Sequence, residues 1–529
     1  MHIVVADDLP ASAIALLRDA GWTVDARAGR KPAELAADLT EADALIVRSA
    51  TKVTADLMNA APRLRVIARA GTGVDNVDVP AASARGLLVM NAPGASSVSV
   101  AEQALALMLA LARRTPAADA AMKQGRWEKK TLTGGELHGK TLGLAGFGRI
   151  GQEVARRAQA FGMRVITHDP FISEAVARDA GVELVSLDAL CEQADYISLH
   201  MPSTPQTKGM FDGARLAHCK NGVCLVNTAR GDLIDEDALV AAIESGKVGG
   251  AGLDVFKVEP PKDSRLPLLP QVVATPHIAA STHEAQEMVG TETAAAVRDF
   301  LRDGIVRNAV NFPSVPPDAL ARLQPFLKLG ERLGAMLGQM AGGRLQRIGV
   351  RYYGELATSP HQTIVASAVV SGLLKPILSS SVSMVNARAA AADRGLEVVE
   401  SRSSRTGPFT SLLSVKLETT DGERWVEGTV FENGSQRLVR VDGISLEAPM
   451  GDTLLVIANQ DKPGVIGEVG TILGRHGVNI ASFSLGREHG GAVGVLNLDA
   501  PDAETSAKVL DEIRKAGAIR QAWIVRLGD

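Results

Sequence analysis

Cysteine is scarce: Cys191, Cys219 and Cys224 are the only three in 529 residues. They form no C-x-x-C pair and are odd in number, which argues against a disulfide framework and fits free thiols in a reducing compartment. Aromatic residues make up only 3% of the chain against 46% hydrophobic overall, so the cores must be built mostly from Ala, Val, Leu and Ile. No long run of one charge sign occurs. The 56 basic and 60 acidic residues nearly cancel to −4, leaving no footprint that could track nucleic acid or an anionic membrane. Long apolar runs are missing too: the most apolar stretch, Val98 to Ala112, contains Glu102 and falls short of the ~20 residues a membrane span needs, so it reads as a core helix. The opening MHIVVADDLP has acids where a signal peptide carries Lys or Arg, and a cytoplasmic protein is expected. No His/Cys/Asp/Glu cluster has metal-ligand spacing, so no metal is expected.

Glycine, by contrast, is generous at 52 residues, as many tight strand-to-helix turns would require. At ~100 to 200 residues per domain the chain should hold about three or four domains. From Met1 to about Asn311 one theme repeats: a short Val/Ile/Leu run, a turn with Gly, Asp or Asn, then a helical stretch. HIVVA, ALIVR, RVIARA, LLVMN, TLGLAG, RVITHD, YISLH, VCLVN and VGGAGLDVF are such runs, and near-continuous apolar strands predict doubly wound parallel sheets. There are too many for one sheet. The helix from Val98 to Arg114 divides them, and the second set starts near Lys140. Three prolines in NFPSVPPDAL read as a linker to a new unit. Residues 318–447 combine a helix-like start with alternating strands, RWVEGTVFENG and QRLVRVDG, an α+β unit in which Arg437 and Arg440 could meet an anion. From Asp452 the order is βαββαβ, the ferredoxin-like arrangement.

GFGRIG matches G-x-G-x-x-G, a weak signal alone. Its context strengthens it: the strand KTLGLA precedes it, the helix RIGQEVARRAQAFG follows, and the next strand ends in Asp169, about 20 residues past the last glycine. Gly146 permits the tight turn, Gly148 lets the backbone approach a pyrophosphate, and Gly151 allows close helix-to-strand packing. Asp169 would accept from a ribose hydroxyl and repel a 2′-phosphate, which favours NAD over NADP.

NTARGD places Arg230 near one strand end, GLDVFKVEPP places Glu259 beyond the next, and VVATPHIAAS places His277 beyond another, where ligands of open parallel sheets bind. A hydride leaves a secondary alcohol carbon only if the hydroxyl proton is removed in step, and imidazole suits that task near neutrality. His277 fits the base. Glu259 would hold the ring and favour its charged form, and Arg230 could grip a carboxylate bidentately. Singly, each has a bland reading as a structural histidine, a surface charge or a solvated loop acid.

These motifs, with the early RSATKV and RAGTGVDNVD, resemble the D-isomer-specific 2-hydroxyacid dehydrogenases over roughly Met1 to Asn311. The resemblance implies catalytic Arg230, Glu259 and His277. It implies cofactor contacts at Gly146, Gly148, Arg149, Ile150, Gly151, Asp169, Thr228, Ala229, Arg230, Asp254, His277, Ile278, Ala279 and Ala280. Substrate contacts would be Arg48, Ser49, Arg69 and Lys129. The family also implies a substrate-binding domain formed by 1–93 and a return segment 275–311, around an NAD-binding domain at 94–274. An intervening α+β domain at 312–447 and an ACT domain at 452–529 would follow.

The ACT likeness rests on NQDKPGVIGEVGTILGRHGVNIASFSLG. It implies a small amino-acid effector, serine, at Asn459, Asp461 and Asn479. The full layout is similar to the long branch of the family that opens phosphorylated serine synthesis, which implies 3-phosphoglycerate as substrate. A homodimer or homotetramer is expected by the same resemblance, with the Val98 to Arg114 region and Trp127 as interface parts. Two rivals stay open: a dehydrogenase for another 2-hydroxy acid, and a nucleotide-sensing protein such as the corepressors that share this fold.

Overall fold

Short apolar runs buried on both faces organise the first half of the molecule. The computed structural model describes residues 1–313, 315–378, 382–405, 408–488 and 491–528. Strands His2–Val5, Thr23–Ala26, Ala44–Val47, Val66–Arg69 and Leu88–Asn91 form one parallel sheet in the spatial order second, first, third, fourth, fifth. Strands Thr141–Ala145, Arg164–His168, Glu183–Leu184, Tyr196–Leu199, Val223–Asn227, Val248–Leu253 and Val272–Ala274 form a second parallel sheet. Its order is third, second, first, fourth, fifth, sixth, seventh, the doubly wound nucleotide-binding topology with one strand added.

Two strands went unread in the sequence, Thr23–Ala26 and Glu183–Leu184, and both lie at a sheet edge. Thr23–Ala26 is partly exposed along its length, so no continuous apolar run marks it, and a two-residue strand is too short to show a period.

Two helices route the chain between the sheets. Helix Ser97–Arg113 packs on strands Val223–Asn227, Val248–Leu253 and Val272–Ala274 of the second sheet. Helix His283–Asp303 starts where the Thr282 side chain accepts the Ala285 N–H, and ends at Gly304 with φ +69°. It packs against helix Ala11–Arg18 and the strands Val66–Arg69 and Leu88–Asn91, returning the chain to the first sheet. Any site between the sheets is thus framed by segments far apart in sequence.

The carboxyl-terminal half forms two further sheets. Six strands from Leu345 to Pro449 make a mixed sheet whose only parallel pair is Leu345–Gly354 with Glu397–Ser403. Helices Pro317–Met340 and Thr363–Leu374 cover it. Strands Thr453–Asn459, Ile480–Glu488, Gly491–Leu498 and Ile519–Arg526 form an antiparallel sheet in the order second, third, first, fourth, with helices Val465–Arg475 and Ala503–Lys515. This is the ferredoxin-like arrangement. Alternation splits its first strand between two cores: Leu454 and Val456 join the core of the preceding unit, while Leu455 and Ile457 pack under the two helices. The α/β reading with an appended α+β unit and a βαββαβ unit therefore holds. Among the described residues no helix is long and apolar enough to cross a membrane.

Candidate active site

Each glycine of the loop after strand Thr141–Ala145 has its own steric cause. Gly146 has φ +101°, and a Cβ there would come within 2.6 Å of the His200 carbonyl oxygen, so only glycine fits. A Cβ at Gly151 would collide with the Gly146 carbonyl, which keeps the helix close to the turn. At Gly148 a Cβ would meet nothing within 4 Å, so the space above it is open to a ligand. Helix Arg149–Ala160 begins there with no side chain capping its first N–H groups, which leaves donors for a pyrophosphate. The Arg149 guanidinium lies over Gly94, and Ile150 packs into the core. Asp169 accepts the Phe147 N–H and the Phe171 N–H, each at 2.8 Å, so its carboxylate is fixed at the mouth of the turn. Thr228, at the next strand end but one, is buried with its hydroxyl unpartnered among the described residues. A dinucleotide fits this donor set.

Three adjacent strand ends carry Arg230, Glu259 and His277. Asn227 shapes the first: its amide donates to the Arg230 carbonyl at 2.8 Å and its Oδ1 accepts the Ala229 N–H at 3.0 Å. Arg230 then donates through Nη1 to the Ala229 carbonyl at 2.6 Å. Beyond strand Val248–Leu253, Glu259 Oε1 accepts the Phe256 N–H at 3.1 Å. Its other oxygen, Oε2, lies 2.7 Å from His277 Nδ1. The ring is thereby oriented through Nδ1, which leaves Nε2 on its opposite side. His277 itself has φ +53°, a left-handed conformation uncommon outside glycine, of the kind found where a local structure fixes a functional side chain.

What holds that conformation is Asp254, fully buried. Its carboxylate accepts the Ile278 N–H at 2.9 Å, the Ala279 N–H at 2.8 Å and the Thr275 hydroxyl at 2.5 Å, while its carbonyl accepts the His277 N–H at 2.8 Å. The structure thus gives Asp254, expected as a cofactor contact, the task of shaping the His277 loop. Ile278 and Ala280 are exposed and Ala279 is buried.

Arg48 and Arg69 meet at the carboxyl ends of neighbouring first-sheet strands. Asp7, just beyond strand His2–Val5, accepts the Arg48 N–H at 2.6 Å and the Thr51 hydroxyl at 2.7 Å and so shapes the loop that carries exposed Ser49. Burial, followed by the nearby Arg230, lowers the Arg69 pKa, so this cleft carries a concentrated positive charge suited to an anion. Lys129 stands apart: it is exposed after helix Thr115–Lys123, and it makes no hydrogen bond or ion pair among the described residues. Sequence reasoning missed Asp75, whose carboxylate lies 3.0 Å from Arg230, and His200, whose ring nitrogen Nδ1 is buried without a partner among the described residues. Asp75 stands inside GTGVDNVD, but nothing in that motif points to a residue so far along the chain.

Comparison with known proteins agrees with this geometry. The NAD binding domain of D-isomer specific 2-hydroxyacid dehydrogenases matches residues 105–279, the D-3-phosphoglycerate dehydrogenase intervening domain matches 322–442, and the ACT domain matches 453–518. A D-3-phosphoglycerate dehydrogenase of Methanocaldococcus jannaschii is 42% identical over 100% of both chains, and one of Synechocystis sp. is 41% identical over 99% of this chain and 94% of its own. The chain belongs to the D-3-phosphoglycerate dehydrogenase family. It is an NAD-dependent 2-hydroxyacid dehydrogenase. Among solved structures, a glyoxylate reductase from Paecilomyes thermophila (32% identity, TM-score 0.55) covers 59% of this chain and 98% of its own. A D-lactate dehydrogenase from Aquifex aeolicus, complexed with NAD and lactic acid, does so with 31% identity, a TM-score of 0.51 and 100% of its own length.

In the ACT domain the expected effector residues are partly engaged already. Asn479 donates to Asp499 Oδ2 at 2.8 Å, and Asp461 lies 3.5 Å from the Arg487 guanidinium. Asn459 is buried, its amide donating to the Gln460 carbonyl at 2.8 Å while its Oδ1 has no partner among the described residues. In the intervening domain, Arg437 and Arg440 lie over the rings of Phe431 and Trp425, so both are already occupied by aromatic contacts.

Proposed function

We propose that the enzyme oxidises D-3-phosphoglycerate to 3-phosphohydroxypyruvate, the first step of phosphorylated serine synthesis. The carrying observation is the 2.7 Å pair of His277 and Glu259 at strand ends next to Arg230, in a chain whose full-length relatives carry that activity in their names. NAD, when bound, supplies the acceptor for the C2 hydride. His277 takes the hydroxyl proton, Glu259 stabilises the imidazolium so formed, and Arg230 holds the substrate carboxylate and polarises the adjacent oxygen. Arg48, Ser49 and Arg69 serve the substrate's anionic groups from the other lobe. Gly146, Gly148, Arg149, Ile150, Gly151, Asp169, Thr228 and Ala229 serve the dinucleotide, together with the backbone from His277 to Ala280.

On this reading, residues 1–93 and 275–311 form the substrate lobe and 94–274 the cofactor lobe, with the active site between them. Residues 312–447 and 452–529 are regulatory. Serine is the effector, and the buried unpartnered Oδ1 of Asn459 supports a polar ligand there. Exposed Trp127, Met122 and Val98 support assembly into a homodimer or homotetramer, and three free cysteines support a cytoplasmic setting.

NADH formation followed by absorbance tests the proposal. A kcat/KM for 3-phosphoglycerate well above that for D-glycerate is expected, with NAD preferred over NADP and inhibition by serine. Equal or better turnover of D-glycerate would assign another substrate, and a rate indifferent to serine would leave the ACT domain an assembly module.

A further inference from the structure

Arg230 belongs to the second sheet, yet its ion-pair partner belongs to the first: Asp75 Oδ2 lies 3.0 Å from Arg230 Nη2. Asp75 sits on the loop between strand Val66–Arg69 and helix Val79–Ala84. That loop is held from both sides. Asn76 donates to the Arg48 carbonyl at 2.7 Å and to the Thr51 carbonyl at 2.6 Å, Val77 pairs with Val53, and Asp78 caps the following helix by accepting the Ala81 N–H at 3.0 Å. Gly73 completes the fit. A Cβ there would collide with Arg230 Nη2 and come within 2.7 Å of Asp75 Oδ2, so the bare backbone is what lets the guanidinium reach across.

We propose that Asp75 is a positioning residue of the active site, which reaches across the cleft to fix the plane of the Arg230 guanidinium for the substrate carboxylate. This rests on the role given above to Arg230. A guanidinium is a rigid planar fork of five N–H donors. With Nη1 donating to the Ala229 carbonyl and Nη2 paired to Asp75, two acceptors on different lobes define its plane and leave its other donors for a ligand. Stability does not account for the pair, because the Asp75 side chain is 71% exposed and exposed ion pairs add little to stability. Electrostatics agrees with a placed countercharge. Arg69 and Arg230 repel each other, and Asp75 acts favourably on the Arg69 guanidinium.

The test uses the full chain with Asp75→Asn, Asp75→Glu, Arg230→Lys and the double variant Asp75→Asn/Arg230→Lys. For Asp75→Asn, kcat/KM for 3-phosphoglycerate should fall about 10-fold or more, since small misplacements of a reacting group can cost up to ~10²-fold. Both kcat and KM should contribute, with the Tm and the NADH Kd at wild-type values. Asp75→Glu should recover part of the loss. In the Arg230→Lys background the same Asp75→Asn change should cost less than about 2-fold, because residues acting as a unit are not additive. Wild-type kinetics for Asp75→Asn, or its full effect persisting beside Lys at position 230, would overturn the proposal. Failure of the underlying role looks different: Arg230→Lys would itself keep wild-type rates, and both readings would fall together.

Discussion

The carboxylate of Asp254 accepts the backbone N–H of Ala279 at 2.8 Å, and through this bond and its neighbours the loop that carries His277 is built around a buried charge. Asp254→Asn puts an amide N–H against backbone donors and leaves at least one of them unpaired, a loss worth about 1 to 3 kcal/mol. Denaturant titration should show that loss. Because His277 is carried by the same loop, kcat should drop up to ~10²-fold. A variant with wild-type kcat would show that the loop holds its shape without this carboxylate.

His277→Ala should lower kcat by ~10²- to 10⁴-fold, the usual contribution of a positioned base, while NADH binding measured by fluorescence changes little. Glu259→Gln retains the size of the side chain but removes the charge behind Nδ1, so kcat should fall by a smaller factor. Retention by His277→Ala of more than a few per cent of wild-type kcat would remove the histidine from the chemistry.

Two glycines only two residues apart should respond to alanine in opposite ways. Gly146→Ala forces a side chain onto the His200 carbonyl at φ +101°, so the Tm should fall by several degrees, as about 1 kcal/mol or more of strain implies. Gly148→Ala meets nothing in the protein, so the Tm should be unchanged and the KM for NAD should rise. A Gly148→Ala enzyme with normal NAD affinity would mean that the pyrophosphate does not approach this backbone.

The stability of the cofactor lobe should weaken in acid through His200. Burial holds this imidazole down at about 4 against an ordinary 6.5, with Ser198 Oγ 2.9 Å from Nε2. The unfolded chain therefore takes up a proton that the folded chain resists. Stability is full above pH ~6.5 and declines as pH falls toward ~4, by at most about 3 kcal/mol at ~1.4 kcal/mol per unit. His200→Gln should flatten that part of the profile in denaturant titrations at stepped pH. An unaltered slope would place the acid sensitivity elsewhere.

Legibility followed length and repetition. The runs HIVVA, VCLVN and QRLVRVDG became strands His2–Val5, Val223–Asn227 and Gln436–Val441 because a strand buried on both faces, or one alternating against a core, writes its period into the residues. Thr23–Ala26 escaped because an edge strand needs no such pattern. Among the candidate site residues, Gly146 and Gly151 were legible because each answers to a local turn, and His277 because it follows strand Val272–Ala274 within a recognisable motif. Asp254 and Asp75 were not given their roles. Their partners are the Ala279 amide and the Arg230 guanidinium, and no local periodicity encodes a contact between distant segments.

By itself, then, the sequence determined the sheet classes and the glycine turn, and it marked Arg230, Glu259 and His277 as candidates at strand ends, since each of these depends on short-range backbone geometry. Only the tertiary structure decided which acid orients which group. Hydrogen bonds and ion pairs act over about 3 Å, and that proximity is created by folding two sheets against each other.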